Sequence, residues 1–169
     1  MSLPFPSPTD HVTARAEVYL GYLDYFRSVL VSKLEGVSDE ELRCSRLPSG
    51  WTPLELLKHL TYVERRWLMW RFEGSDVDDP WGDSRDGHWY VGPQQDREQL
   101  VAALHAQSVR SRTIVERHDL SEVGRPGERW DGAAPATLER VLLQLVQEYA
   151  RHAGHLDVVR ELIDGRVGE

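Results

Sequence analysis

Near the C-terminus, Leu138, Leu142, Leu145, Tyr149, His152, Leu156, Val159 and Ile163 recur at alternating steps of four and three. That spacing is one face of an α-helix. The pattern runs to Asp164, and Gly165 supplies the stop signal. At about 1.5 Å per residue its roughly 27 residues span about 40 Å. An amphipathic rod of that length has to bury its stripe against other long helices, which favours a four-helix bundle over globin-like packing.

Three further segments carry helical periodicity and none carries a strand alternation. The first is expected from about Asp10 to Leu34, with Val12, Ala16, Tyr19, Leu23, Phe26 and Leu30 on one face and Gly36 as its stop. Ser38-Asp39-Glu40-Glu41 then reads as a capping box opening a short helical turn. Thr52-Pro53-Leu54-Glu55 places Thr at the N-cap, Pro at the first helical position and Glu at the third, the clearest helix start in the chain. That helix should run to about Phe72 with a stripe of Leu56, Leu60, Val63, Trp67 and Trp70, and His59 on its flank. The polar stretch from Gly74 to Gln95 is long for a connection and reads as a lid or mobile segment, with Trp81 and Trp89 able to cover a site. A weaker helix is expected from about Asp96 to Arg117, and a Gly/Pro-rich link from Gly124 to Pro135 leads into the last one.

The total of 169 residues suits a single domain spanning 1–169, its first ten or so residues extended. With 28 acidic against 20 basic residues, the chain lacks the basic face a nucleic-acid partner requires. No apolar run approaches the length of a membrane span. The Pro/Ser-rich start does not read as a signal peptide. Cys44 alone excludes a disulfide scaffold or a Cys-based zinc ribbon and fits a reducing cytoplasm.

Chemistry enters through a break in the apolar seam of the last helix. His152 occupies a core position, Glu148 lies four residues before it and His155 three after, so the three share one face. Polar groups placed inward among Leu, Tyr and Val are costly unless satisfied, and a divalent metal satisfies imidazole and carboxylate together. A spacing of four suits two ligands on one helix, and His59 on the second long helix is the best candidate for a third. Three protein ligands leave a position open, the catalytic rather than the structural pattern. A plainer reading stands beside this one. Each histidine could be a hydrogen-bonded core residue, Glu148 could pair with Arg151 or an earlier Arg, and His155 could cap the polar flank. His11, His88, His105 and His118 sit in polar or loop contexts and read as solvated, and the six Trp read as core and lid packing. The acidic loop from Asp76 to Asp86 lacks the ligand spacing of an EF-hand, and Cys44 has no activating neighbour.

Two stretches carry a family resemblance: LLKHLTYVERRWLMWRFEG, from Leu56 to Gly74, and EYARHAGHLDVVRELIDG, from Glu148 to Gly165. With the helix order, they make the chain resemble the DinB-like superfamily over nearly its whole length, in an actinobacterial branch of unknown function. The resemblance implies an all-α, up-down-down-up four-helix bundle with a divalent metal, zinc first and nickel next, held by His59, Glu148 and His152. It places His155 beside the site, as an outer contact or alternative ligand. The Glu-x-x-x-His form resembles the mycothiol-dependent maleylpyruvate isomerase branch more than the three-His branch. The chain departs from its relatives at Gln144, one turn before Glu148, where they carry His.

The implied activity is transfer or isomerisation on small electrophiles with a low-molecular-weight thiol such as mycothiol. The residues equally permit a metal-assisted hydrolase using activated water. The rival class is a non-catalytic bundle whose metal is structural or absent and which acts by forming a homodimer or binding another partner.

Overall fold

The protein is described here by a computed structural model that covers residues 3–168. Residues 1 and 2 of the expected extended N-terminal stretch lie outside the described residues. The first helix, α1, is Arg15–Leu34. It starts later than its periodicity suggests because Asp10 closes a turn instead: its carboxylate accepts from the Ser7 amide at 2.8 Å and its own amide donates to the Ser7 carbonyl at 3.0 Å. Val12 is left exposed.

A single turn, α2 (Asp39–Leu42), follows, with the Ser38 hydroxyl accepting from the Glu41 amide. Helix α3 (Pro53–Glu64) opens on the expected capping box, in which Thr52 and Glu55 each accept the other's backbone N–H. Beyond Glu64 the same rod continues as a π-helix, Arg65–Glu73, closed by Gly74 in the left-handed conformation at φ 69°. The wider turn corrects the expected stripe. A π turn holds more than 3.6 residues, so the buried face slides along the sequence. Leu68 and Phe72 are buried where Trp67 and Trp70 were expected, and both tryptophans are only half-buried.

The connection to the next helix holds a small hairpin, β1 (Ser84–Arg85) paired antiparallel with β2 (His88–Trp89). Asp86 and Gly87 turn it at φ 53° and 79°, the Asp-Gly chemistry of a tight hairpin. Strands this short leave no readable alternation, which is why periodicity shows no sheet here. Helix α4 (Arg97–Arg117) starts on an Asp96–Gln99 capping box, and α5 (Leu138–Asp164) runs from the Thr137 cap to Gly165 at φ 76°. A short 3-10 turn, Glu128–Trp130, buries Trp130 in the link between them.

Contacts along the helices give their directions. Arg15 pairs with Glu139 and Lys33 with Asp157, so α1 and α5 run parallel. Lys58 meets Gln95, Glu64 meets Ser111 and Glu73 meets His118, so α3 and α4 are parallel too. Glu64 meets Tyr149 while His59 meets His152, which makes α3 antiparallel to α5. The bundle is therefore all-α and up-down-down-up. Parallel neighbours α3 and α4 oblige the chain to return along the bundle between them, and this requirement accounts for the long connection. The seam is filled by Leu23, Leu30, Leu56, Leu60, Leu104, Leu142 and Leu145, each fully buried. Among the described residues no helix is long and apolar enough to cross a membrane.

Candidate metal centre

The Thr52 cap fixes the start of α3, and His59 lies on its second turn between buried Leu56 and Leu60. Opposite, the unbroken periodicity of α5 turns His152 inward, with Glu148 one turn before it. The two helices bring one donor atom from each of His59, Glu148 and His152 to within 4.8 Å of one another. Donors sharing one ion at about 2.0–2.2 Å must lie within roughly 4.4 Å, twice the longest ligand distance. Side-chain adjustments of a few tenths of an ångström close that difference, at a cost the shallow rotamer wells allow.

The polar surroundings fit a cation. Gln144 donates to Glu148 Oε1 at 2.8 Å, which leaves Oε2 turned to His152 Nε2 at 3.4 Å. Gln144 thus orients the carboxylate. Glu148 faces Gln144 and His152, so the alternative pairing with Arg151 or an earlier Arg is not what the structure shows. His152 Nδ1 is buried with no hydrogen-bond partner. Two imidazoles and a carboxylate brought this close, with His152 Nε2 turned to the carboxylate, form a donor set that a divalent cation satisfies.

His59 is held from behind. Its Nδ1 lies 2.9 Å from Asp83 Oδ2, and a carboxylate can only accept, so Nδ1 carries the proton and Nε2 keeps its lone pair. Asp83, only 2% exposed, also receives Arg66 through Nη1 at 2.5 Å and Nη2 at 3.1 Å. Burial pulls the His59 pKa below its ordinary value, against the opposing pull of Asp83. For Asp83 burial acts upward, yet the bonds from His59 and Arg66 hold it below the usual carboxylate value. The hydrogen bond to His152 similarly lowers Glu148, against burial. These directions favour neutral imidazole and ionised carboxylate, the states that ligate metals.

Aromatic rings wall the site. Trp89 stacks on His59 with centroids 4.1 Å apart and planes inclined by 20°, and it meets His152 edge-on at 5.4 Å. Trp51 stands 6.1 Å from Trp89 and 6.4 Å from His155. His155 lies edge-on to His152 at 5.4 Å, outside the converging trio, with burial and then His152 lowering its pKa. Trp81 does not join this wall. It is 51% exposed and packs against Trp70 and the Arg66 guanidinium, because the hairpin turns Trp89, not Trp81, towards α3.

Asp83 and Arg66 escape a reading by spacing, since Asp83 is one of several acids in a polar loop and nothing in the sequence marks Arg66 among the arginines of its helix as Asp83's partner. A second polar cluster is equally hidden. Glu64, fully buried, takes two bonds from Arg27 at 2.8 Å, one from Ser111 at 2.6 Å and one from the Tyr149 hydroxyl. Burial lowers the Arg27 pKa, but the Glu64 charge more than offsets it and the net shift is upward. Burial, with Glu64 next, raises the Tyr149 phenol well above its ordinary value. His118, expected to be solvated, is instead partly buried between Glu73 and Glu122, because the end of the parallel α3–α4 pair brings Glu73 to it. His11, His88 and His105 are exposed.

Comparison with known proteins bears on this geometry in two ways. The profile of a family described as Mycothiol-S-transferase matches residues 18–165, a span that includes all three converging residues. A solved structure, the conserved protein of locus from Enterococcus faecalis, superposes with a TM-score of 0.66 at 15% identity, covering 92% of this chain and 100% of that one. At that identity the likeness is one of fold. A comparison with curated proteins finds no match.

Proposed function

Because this chain belongs to the mycothiol-S-transferase family, we propose that it joins the sulfur of mycothiol to a small electrophile at a divalent-metal site formed by His59, Glu148 and His152. Zinc suits two imidazoles and a carboxylate best, with nickel as the nearest competitor. The observation that carries the reading is the convergence of these three donors from two facing helices, with His152 Nε2 turned to Glu148. A cation there supplies the positive charge that keeps a small thiol ionised at neutral pH. The sulfur lone pair then forms the C–S bond, and the displaced group or the carbanion takes up the proton the thiol has lost.

The protein's own groups set the conditions. Asp83 keeps the His59 proton on Nδ1, Gln144 fixes one Glu148 oxygen, and Trp51 and Trp89 restrict water on one side. The exposed Cys44 turns its thiol to the Ser45 carbonyl and is not among the converging residues; in this reading the reacting sulfur arrives with the cosubstrate, in keeping with a reducing cytoplasm.

The test is direct. Protein purified without a metal-affinity resin should contain close to one divalent ion per chain, and His59→Ala and His152→Ala should lose it. Incubation with mycothiol and a panel of electrophiles should consume free thiol in the wild type and not in either variant. A wild type that neither carries metal nor regains it from zinc or nickel overturns the metal centre. Metal without thiol consumption across the panel overturns the transfer chemistry.

A further inference from the structure

The hairpin in the α3–α4 connection does more than cover the bundle. Its leading residue, Asp83, is almost wholly buried and touches two partners from the α3 rod, His59 and Arg66. Its trailing residue, Trp89, lies flat on the same imidazole. His59 is thus gripped at its edge and on its face by a segment that contributes none of the three converging donors. We propose that Asp83 is the positioning residue of the metal centre, with the Arg66 guanidinium fixing which atom Asp83 offers, so that the lone pair of His59 is always on Nε2. This rests on the assignment of His59 as a ligand.

The geometry makes the proposal specific. Arg66 takes Asp83 Oδ1 at 2.5 Å, and Asp83 Oδ2 is shared by Arg66 at 3.1 Å and His59 Nδ1 at 2.9 Å. Arginine only donates, so an amide at this position keeps its oxygen on Arg66 and turns its NH2 to His59. The NH2 would then donate to Nδ1, the ring proton would move to Nε2, and the nitrogen meant for the metal would be blocked. Asp83→Asn therefore keeps size and shape but inverts the tautomer. Asp83→Ala removes the restraint and leaves the ring free to choose. A role confined to packing or to the ion pair with Arg66 predicts the opposite ranking, with Asn milder than Ala.

The experiment is competitive zinc titration of the wild type, Asp83→Asn, Asp83→Ala and the control Asp86→Asn, whose carboxylate lies at the hairpin tip. Nitrogen NMR of the metal-free proteins reads the His59 tautomer. The wild type should show Nδ1–H and bind zinc, and the control should match it. Asp83→Asn should show Nε2–H and bind about 10–100-fold more weakly, at least as weakly as Asp83→Ala, with unchanged helical circular dichroism. Zinc affinity in Asp83→Asn equal to wild type, or an Nδ1–H tautomer retained there, overturns the proposal. A wild type that binds no zinc overturns the ligand assignment instead, and the tautomer measurement on metal-free protein still tests the role of Asp83.

Discussion

At the scale of single residues, Glu64 shows how a charge survives in an apolar seam. Both oxygens are occupied, by Arg27, Ser111 and Tyr149, and the four residues come from α1, α3, α4 and α5. Only Arg27 supplies the opposite charge among these partners, so its removal leaves the buried carboxylate uncompensated. Arg27→Met is expected to cost about 3–5 kcal/mol, since it strands the carboxylate, whereas Tyr149→Phe should cost only about 1–2 kcal/mol because two other donors remain. Urea unfolding of the two variants measures the contrast, and equal losses would contradict it. Glu64 follows His59 on α3, and Tyr149 follows Glu148 on α5, so this cluster also holds the register in which the three converging donors meet. The sequence shows Tyr149 as a stripe residue, but nothing in the spacing of Arg27, Glu64 or Ser111 announces that they share a partner.

At the scale of elements, the start of α3 was readable because capping is local chemistry, and the structure adds caps of the same kind to α4 and α5. Thr52 with Glu55, Asp96 with Gln99, and Thr137 satisfy backbone groups within one turn. The conversion of α3 to a π-helix was not readable, because it answers to packing: it buries Leu68 and Phe72. The far end of α5 is tied to α1 through Arg160, which bonds the Asp164 carboxylate at 3.0 Å and the Glu35 carbonyl at the same distance. The bond from Arg160 lowers the Asp164 pKa, burial opposing it. A depressed carboxylate contributes stability that is complete above its unfolded value of 3.8 and is lost as pH falls through the lower folded value. Asp164→Asn should therefore be less stable than wild type at neutral pH, and the gap should close as the solution is acidified below about pH 4. Thermal melts across that range test it; a gap that is constant with pH would contradict the ionic origin.

At the scale of the whole molecule, direction along the bundle governs the site. Because α3 and α4 run parallel, the chain between them has to travel back along the bundle, and that passage carries Asp83 and Trp89 to His59. The fully buried leucine seam includes none of the three converging residues, so the fold is expected not to depend on a metal as a small zinc finger does. Chelation should leave the helical signal intact and abolish thiol consumption. It should lower the melting temperature only by the linkage expected for a bound ion, about 4 kcal/mol when free metal stands a thousandfold above its Kd. Unfolding on chelation would instead identify a structural site. The sequence alone was enough to determine the long helices, the inward face shared by Glu148 and His152, and the flanking His59, because helical periodicity and capping depend only on neighbours a few residues apart. It could not determine the partner of His59, the π turn or the buried Glu64 cluster. Those depend on which groups meet across helices once the chain has folded, when a buried charge must find a partner wherever the packing brings one within reach.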